Sequence, residues 1–374
     1  TLFKKLWSKR GERPDASLPV FQRTAARRAA ERTENMNIYE SACEKAQEGL
    51  WNCFFDEKTG VMVNHMPVRE EENWIYWWHA HALDALLDGY LRKTEGEYLE
   101  RFRKEYAGTY RENGNTLLHN WYDDMEWMTL ALLRAWDATK DEEYKKQALF
   151  VWKDIKTAWN DACGGGMAWK KDQLDYKNTP ANAPAAIIAF RLYQRFGKKE
   201  DLEWGEKIFT WNRDQLMDPE TCFVWDGMNR EGDGKIDKEW KFTYCQGVML
   251  GAALEYYRIT GEKEQLELAK KIARRAVVEL AGEDGIFNYE GKDDCGLFRG
   301  IYFRYLYELV TAADDCDDLK KIILKNADAV SKAMREDGLV GGDWRSVSAG
   351  EIDLAQHLSG VMVLEMAAKL VKED

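Results

Sequence analysis

Two adjacent carboxylates, Asp123 and Asp124, stand at the front of an apolar helical segment, WYDDMEWMTLALLRAW, with Trp121 and Tyr122 before them and Glu126 and Trp127 after. Neighbours on a helix diverge by ~100°, so two carboxylates in one first turn point to different places. That is compatible with the ~5–5.5 Å separation of a retaining glycosidase pair. One carboxylate can attack an anomeric carbon while the other delivers a proton to the departing oxygen. The positive end of the helix dipole favours an ionised Asp123, and that charge keeps Asp124 protonated for longer. Three further Asp-Asp pairs, at 293–294, 314–315 and 317–318, lack this aromatic setting. The last two fall in a short turn and read as solvated caps, whereas Asp293-Asp294 stays a competing candidate.

Other polar and aromatic residues collect where helices begin. Asn73 and Trp74 open one segment, with Trp78 a turn later; Trp121 precedes the aspartates; Trp169, Asn178 and Asn182 surround the next entry. Trp225, Tyr244, Gln246 and Arg299 follow near later entries. Rings stack on the C–H faces of sugars, and amides and acids take the hydroxyls. Asn178, Asn182, Tyr244, Gln246 and Arg299 are therefore expected to orient hydroxyls, and Trp74, Trp78, Trp121, Trp169 and Trp225 to stack on sugar or wall a groove. The competing explanation is that such residues cap helices and pack a rim.

No metal or cofactor is expected. His79 and His81 fall on opposite helix faces, with no third ligand spaced to help them. The stretch Asn229 to Asp237 resembles the front of a calcium loop, but Trp240 occupies the twelfth position where a bidentate Glu is needed. It reads as a polar loop. Gly164-Gly165-Gly166 lacks the Lys-Ser/Thr of a phosphate loop and reads as a close backbone approach.

These residues need a frame, and the sequence supplies one. A recurring unit joins a helix rich in Leu with Tyr or Trp to a second, more charged helix across a short break, as in LLDGYLRKTEGEYLERF and ALEYYRITGEKEQLELA. Its irregular spacing excludes a tight solenoid. Twelve helices are expected, roughly at 38–54, 74–92, 97–110, 122–137, 141–159, 180–196, 200–215, 243–259, 263–280, 298–312, 316–334 and 352–371. Short turns follow the even-numbered helices and long loops precede them. Six such pairs make an all-α (α/α)6 toroid with the even-numbered helices inside, apolar on most sides, and with the long loops sharing one mouth. Residues 1–35 read as a basic N-terminal extension, and 36–374 as a single barrel.

The 374 residues carry 54 Lys and Arg against 66 Asp and Glu, a net charge of −12, the wrong sign for a duplex binder. No apolar run in the sequence approaches the ~18–20 residues of a membrane span. The seven cysteines are odd in number, widely spread and never spaced as C-x2-C, so they read as buried small hydrophobes in a reducing compartment. With no signal segment visible the chain reads as cytoplasmic, or as secreted if a leader has been removed, and as a monomer.

In order along the chain, YWWHAHALDALLDGY, WYDDMEWMTLALLRAW, CGGGMAWKKDQLDYKNTPAN, FTYCQGVMLGAALEYYRITGE and FRGIYFRYL resemble glycoside hydrolase family 76, the endo-α-1,6-mannanases. The resemblance runs from about Trp74 to Leu306. It implies an (α/α)6 barrel, a retaining, metal-independent reaction on α-mannan or α-1,6-manno-oligosaccharides, Asp123 as nucleophile and Asp124 as general acid/base. The chain departs from the family's pattern at Cys245, where Asn is expected before Gln246, and at His79, where Gln is commoner. Two other readings stand beside this one: another (α/α)6 activity, such as an unsaturated uronide hydrolase or a sugar epimerase, and a non-catalytic glycan-binding or scaffold protein.

Overall fold

The computed structural model describes residues 38–70 and 73–373. The expected extension at 1–35 and the Glu71-Glu72 pair lie outside the described residues. Among the described residues twelve α-helices follow one another: α1 Ile38–Gly49, α2 Tyr76–Lys93, α3 Gly96–Glu112, α4 Tyr122–Thr139, α5 Glu142–Ile155, α6 Thr179–Phe196, α7 Lys199–Leu216, α8 Thr243–Thr260, α9 Lys263–Leu280, α10 Phe298–Ala312, α11 Asp317–Ala333 and α12 Leu354–Glu373. The even-numbered helices close a ring, α2 against α4, then α6, α8, α10 and α12, which returns to α2. The odd-numbered helices pack outside it, so the expected (α/α)6 toroid is what the chain forms.

The sequence explains the alternation. Inner α8 (TYCQGVMLGAALEYYRIT) is buried continuously from Cys245 to Glu255, while outer α9 buries only the stripe through Leu266, Ala269, Ile272, Ala273 and Ala276. Small residues let the inner helices approach: a Cβ on Gly247 would lie 2.6 Å from the Tyr302 Cα of α10, and one on Gly300 would lie 2.7 Å from the Ser359 Cα of α12. Four inner helices end in the same way, each with one residue in the left-handed region whose N–H closes the last turn: Thr94 to the Tyr90 carbonyl, Lys140 to Trp136, Gly197 to Tyr193 and Gly261 to Tyr257. This shared stop is the short break of the sequence repeat.

Two elements differ from the sequence expectation. The first helix stops at Gly49 and passes into a π-helical turn over Leu50–Phe54. α12 also carries a stretch, Leu354–Lys372, that by length and composition could cross a membrane. It is the sixth inner helix, 89% of that window is buried, and its apolarity follows from being surrounded on all sides.

Among the described residues seven short strands stiffen the long loops. β1 (Phe55–Asp56) pairs with β2 (Val61–Met62), and β3 (His65–Met66) with β7 (Ile352–Asp353). β4 (Ala168–Lys170), β5 (Gln173–Asn178) and β6 (Gly227–Met228) form an antiparallel sheet. That sheet leads directly into α6 and walls one side of the mouth.

The opposite end of the ring is plugged by charge. Asp88 of α2 accepts from Arg134 Nη2 of α4, Arg304 Nη2 of α10 and Lys369 Nζ of α12, each at 2.7 Å. Arg191 of α6 bonds Glu255 of α8 at 2.6 Å and Glu308 of α10 at 2.8 Å. All six inner helices contribute a charged side chain. Down α4, the row Asp123, Trp127, Leu130, Arg134 at i, i+4, i+7, i+11 therefore runs from the mouth to this plug.

Candidate active site

The mouth encloses a cavity of about 630 Å³. Asp123 and Asp124 lie on its floor, in the first turn of α4. Trp121, just ahead of them, is in extended conformation and bridges Lys170 at the end of β4. That pairing brings β4 over the start of α4, and Trp169 then reaches down so that its Nε1 donates to Asp123 Oδ2 at 2.9 Å. The second Asp123 oxygen accepts the Asp124 backbone N–H at 3.1 Å. Asp124 has a different neighbour, His119, whose Nδ1 lies 3.1 Å from its Oδ2.

Both carboxyls are pushed well above the usual carboxylate range, in each case chiefly by removal from water. The charge of Asp124 raises Asp123 further, and that of Asp294 raises Asp124. Two like charges in this mouth titrate as a pair. The two N–H donors on Asp123 hold the shared negative charge there, because donors aimed at a carboxylate stabilise its ionised form. Burial also lifts the Glu126 carboxyl, one turn further on, and holds His119 down at about 4, with Lys171 as the lesser cause. His119 is therefore a neutral ring at neutral pH.

Around the pair, Trp74, Trp77, Trp121, Trp127, Trp169 and Trp240 make an aromatic wall. Tyr244 and Phe298 stack face to face, ring centroids 3.8 Å apart and 4° from parallel. Opposite the pair stands Asp226, whose Oδ1 accepts the Tyr244 hydroxyl at 2.8 Å and whose Oδ2 accepts the Tyr176 hydroxyl at 3.2 Å. Arg230 lies between the rings of Tyr176 and Trp240, at 4.4 and 3.8 Å, and its charge is shared between Asp226 and Asp237. Asp294 stands exposed at the rim, its Oδ1 accepting the indole N–H of both Trp77 and Trp78 at 2.9 Å.

Of the residues expected from sequence, Asp123, Asp124, Trp74, Trp121, Trp169, Asn178 and Tyr244 line the cavity. Six do not. Trp78 is fully buried beside the wall, and its neighbour Trp77 takes the cavity face instead. Asn182 is buried and offers both halves of its amide to the Met167 backbone, accepting its N–H at 2.7 Å and donating to its carbonyl at 3.1 Å. Gln246 does the same for Val224, at 2.9 and 2.7 Å. Each amide serves as a short piece of strand, fixing the segment that carries Trp169 in one case and Asp226 in the other. Arg299 is buried against the Trp344 ring at 3.8 Å and donates to the carbonyls of Phe287 and Gly342. Asn73 is exposed, its carbonyl accepting from Asn64 Nδ2. Trp225 packs on Phe223 at 5.0 Å.

Asp226 and Arg230 also line the cavity and are not among the residues expected from sequence. Only the Trp-Asp juxtaposition at 225–226 echoes the aromatic-acid theme that marked Asp123. Gly165 and Gly166 do allow a close approach, but to the rings of Trp159 and Trp211 rather than to the cavity. Among the described residues no three His, Cys, Asp or Glu side chains are grouped as ligands for a metal. His79 is instead engaged with Glu105 at 2.7 Å, and the Asn229–Asp237 stretch folds on itself through Gly234 N–H to Asn229 Oδ1 at 2.8 Å.

The fold has close counterparts. The Lin0763 protein of Listeria innocua superposes with a TM-score of 0.86 at 39% identity, over 90% of this chain and 98% of that one. The GH76A α-1,6-mannanase of Salegentibacter sp. HEL1_6 superposes with 0.84 at 38%, over 89% and 99%. An inactive variant of that mannanase, with two consecutive Asp changed to Asn, has been solved with α-1,6-mannotriose. Among curated proteins, the mannan endo-1,6-α-mannosidases of Saccharomyces cerevisiae and Candida glabrata are 27% and 26% identical over 260 and 205 residues, which is 62% and 50% of this chain. The chain spans about half the length of these fungal relatives, 57% and 46% respectively. The sequence model of glycosyl hydrolase family 76 matches residues 38–373, and the chain belongs to that family.

Proposed function

We propose that the protein hydrolyses internal α-1,6-mannosidic linkages by double displacement, with Asp123 as nucleophile and Asp124 as general acid and then general base. The observation that carries this reading is the unequal dressing of two adjacent carboxylates. Asp123 receives the indole N–H of Trp169 and a backbone N–H, while the His119 Nδ1 beside Asp124, at 3.1 Å, makes no hydrogen bond among the described residues. In the first step Asp123 attacks the anomeric carbon and Asp124 gives its proton to the departing glycosidic oxygen. In the second step Asp124 takes a proton from water, which displaces Asp123. The stacked and edge-on rings suit sugar C–H faces, and a wall whose cation, Arg230, is already shared by two carboxylates suits a neutral glycan. The names of the Salegentibacter and fungal relatives agree with this substrate.

The deciding experiment is a product profile on linear α-1,6-mannan with the anomeric configuration followed by NMR. A ladder of manno-oligosaccharides that first appear as the α anomer is expected. Initial β product would overturn the double displacement, and release from unsaturated uronide disaccharides with none from mannan would favour the rival barrel activity. Glycan binding without any hydrolysis would leave a binding protein.

Trp169 supplies a second measurement. Its N–H favours the ionised form of Asp123, so Trp169→Phe, which keeps a ring but no donor, raises that group's pKa. The nucleophile must be ionised, and the acidic limb of the kcat/KM profile is expected to move to higher pH by about one unit, the worth of one hydrogen bond to a charged group. An acidic limb that stays in place would separate Trp169 from Asp123.

A further inference from the structure

We propose that Trp240 is the platform of a separate sugar-binding subsite, on which a mannosyl unit further along the chain than the one attacked by Asp123 lays its C–H face. The proposal rests on the reading of the mouth as an α-1,6-mannan site and adds a residue that makes binding depend on chain length.

Trp240 is the one exposed tryptophan among the described residues, 43% open to water, although it also lines the cavity. An indole is highly buried on average, because its apolar area is large. This one is nevertheless held still. The Arg230 guanidinium lies over its ring, 3.8 Å from the centroid, and over the Tyr176 ring at 4.4 Å. Arg230 is fixed in turn by two carboxylates, Nη2 donating to Asp226 Oδ2 at 3.1 Å and Nε to Asp237 Oδ2 at 3.2 Å. The Trp240 backbone N–H donates to the Asp237 carbonyl at 3.1 Å, and the Asp237 N–H to the Gly227 carbonyl of β6 at 2.8 Å. The loop that carries the indole is thereby tied to the sheet that walls the mouth.

Arg230 covers one face of the indole, so the exposed area belongs to the other face and the ring edge. Phe242 meets the ring only edge-on, at 5.9 Å. A flat apolar face fixed beside a cavity takes a ligand without the ordering that much of the cost of binding comes from. The groups between this platform and the reacting pair set its place. Trp169, which donates to Asp123, touches Tyr176 edge to face at 5.7 Å, and Tyr176 and Arg230 then stand between Trp169 and Trp240. A mannosyl unit on Trp240 is therefore not the one whose anomeric carbon meets Asp123. The occupant that fits is another unit of the same chain. The platform opens on the catalytic cavity, the cation beneath it is shared by Asp226 and Asp237, and a neutral pyranose offers the C–H patch that an indole face takes.

The test measures binding by calorimetry in an Asp123→Asn background, where the glycan is not consumed, with α-1,6-manno-oligosaccharides from the biose to the hexaose. Affinity is expected to rise with length in D123N. Adding Trp240→Ala should give a loss that grows with length and reaches about 10- to 30-fold on the longest chains, the scale on which truncation of an aromatic anchor acts. Trp240→Phe, which keeps a flat ring, recovers most of that affinity. In the protein with Asp123 intact, the W240A loss on mannohexaose falls in KM rather than kcat, as for a contact made equally in ground and transition states. A length series that W240A does not alter would overturn the proposal, because nothing then rests on the indole. A loss of the same size at every length would also overturn it, because the residue then only supports the site as a whole. Either result in a protein that cleaves mannan leaves the reading of the pair intact. A protein that binds with the expected length dependence but cleaves nothing refutes that reading and keeps the subsite, and one that binds no oligosaccharide overturns both.

Discussion

Asp123→Asn is expected to lower turnover of α-1,6-mannan by about 10⁵-fold, the scale on which removal of a covalent nucleophile acts. Asp124→Asn differs in kind as well as in size. On mannan it loses about 10²–10⁴, the worth of an acid/base group. On a dinitrophenyl glycoside it still forms the glycosyl-enzyme, because that leaving group needs no proton, and then stalls for want of a base. A burst of dinitrophenolate is therefore expected from D124N and none from D123N. Folding gives an independent control whose sign follows from the site. The folded-state pKa of Asp123 is raised, first by burial and then by Asp124, so its contribution to stability is present below the unfolded value and is lost as pH rises through the folded one. At neutral pH the buried negative charge on Asp123 costs stability, and Asn at 123 relieves that cost. The D123N thermal midpoint should equal or exceed that of the unmodified protein. Near-unmodified cleavage by D123N would remove Asp123 from the mechanism.

Asp123 and Asp124 were legible because their signal is local: acids in the first turn of an apolar helix, set among indoles. The ring was legible for a similar reason, since the left-handed stops after Tyr90, Trp136, Tyr193 and Tyr257 recur as a written pattern. Which side chains face the cavity was harder to read. On α2 the row that follows the ring axis is Trp77, His81, Asp84 and Asp88, at i, i+4, i+7 and i+11. An inner helix that is apolar on most sides gives no apolar signal for the side that meets the axis. Here the lower axis is ionic, so the carboxylates at 84 and 88 marked the true row. Asn182, Gln246 and Arg299 show a second limit: an amide or guanidinium near a helix start looks the same in sequence whether it meets a sugar or a rim carbonyl. Asp226 sits in a loop with no period at all, and only the third dimension brings Tyr176, Tyr244 and Arg230 to it.

That ionic axis carries the largest expected effect on stability. Asp88 is fully buried and answers three cations from three helices, Arg134, Arg304 and Lys369. Asp88→Asn keeps the volume and removes the charge, leaving those cations to Asp84, which already contacts Arg134 and lies 3.1 Å from Arg304 Nε. Breaking a buried network in this way costs about 3–5 kcal/mol. The control is Asp318→Asn at the exposed Arg274–Asp318 pair, where both side chains are open to water and the expected loss is under about 1 kcal/mol. Burial alone would raise the Asp88 carboxyl, but Arg304, Lys369 and Arg134 together hold it well below the usual range. Against the same burial, Arg191 and Arg258 hold Glu308 at about 2. A carboxyl lowered in the folded state stabilises above its unfolded pKa and loses that contribution as pH falls through the folded one. The gap between D88N and the unmodified protein should therefore be widest from neutral pH down to about 5 and close below about pH 4, where the unfolded carboxyl takes up its proton. Because Trp127 and His81 lie between Asp88 and the cavity, the D88N protein that remains folded should keep its kcat on mannan. A D88N midpoint no lower than that of D318N, or a gap that widened in acid, would mean that the six inner helices are held by their packing and that the charges between them are incidental.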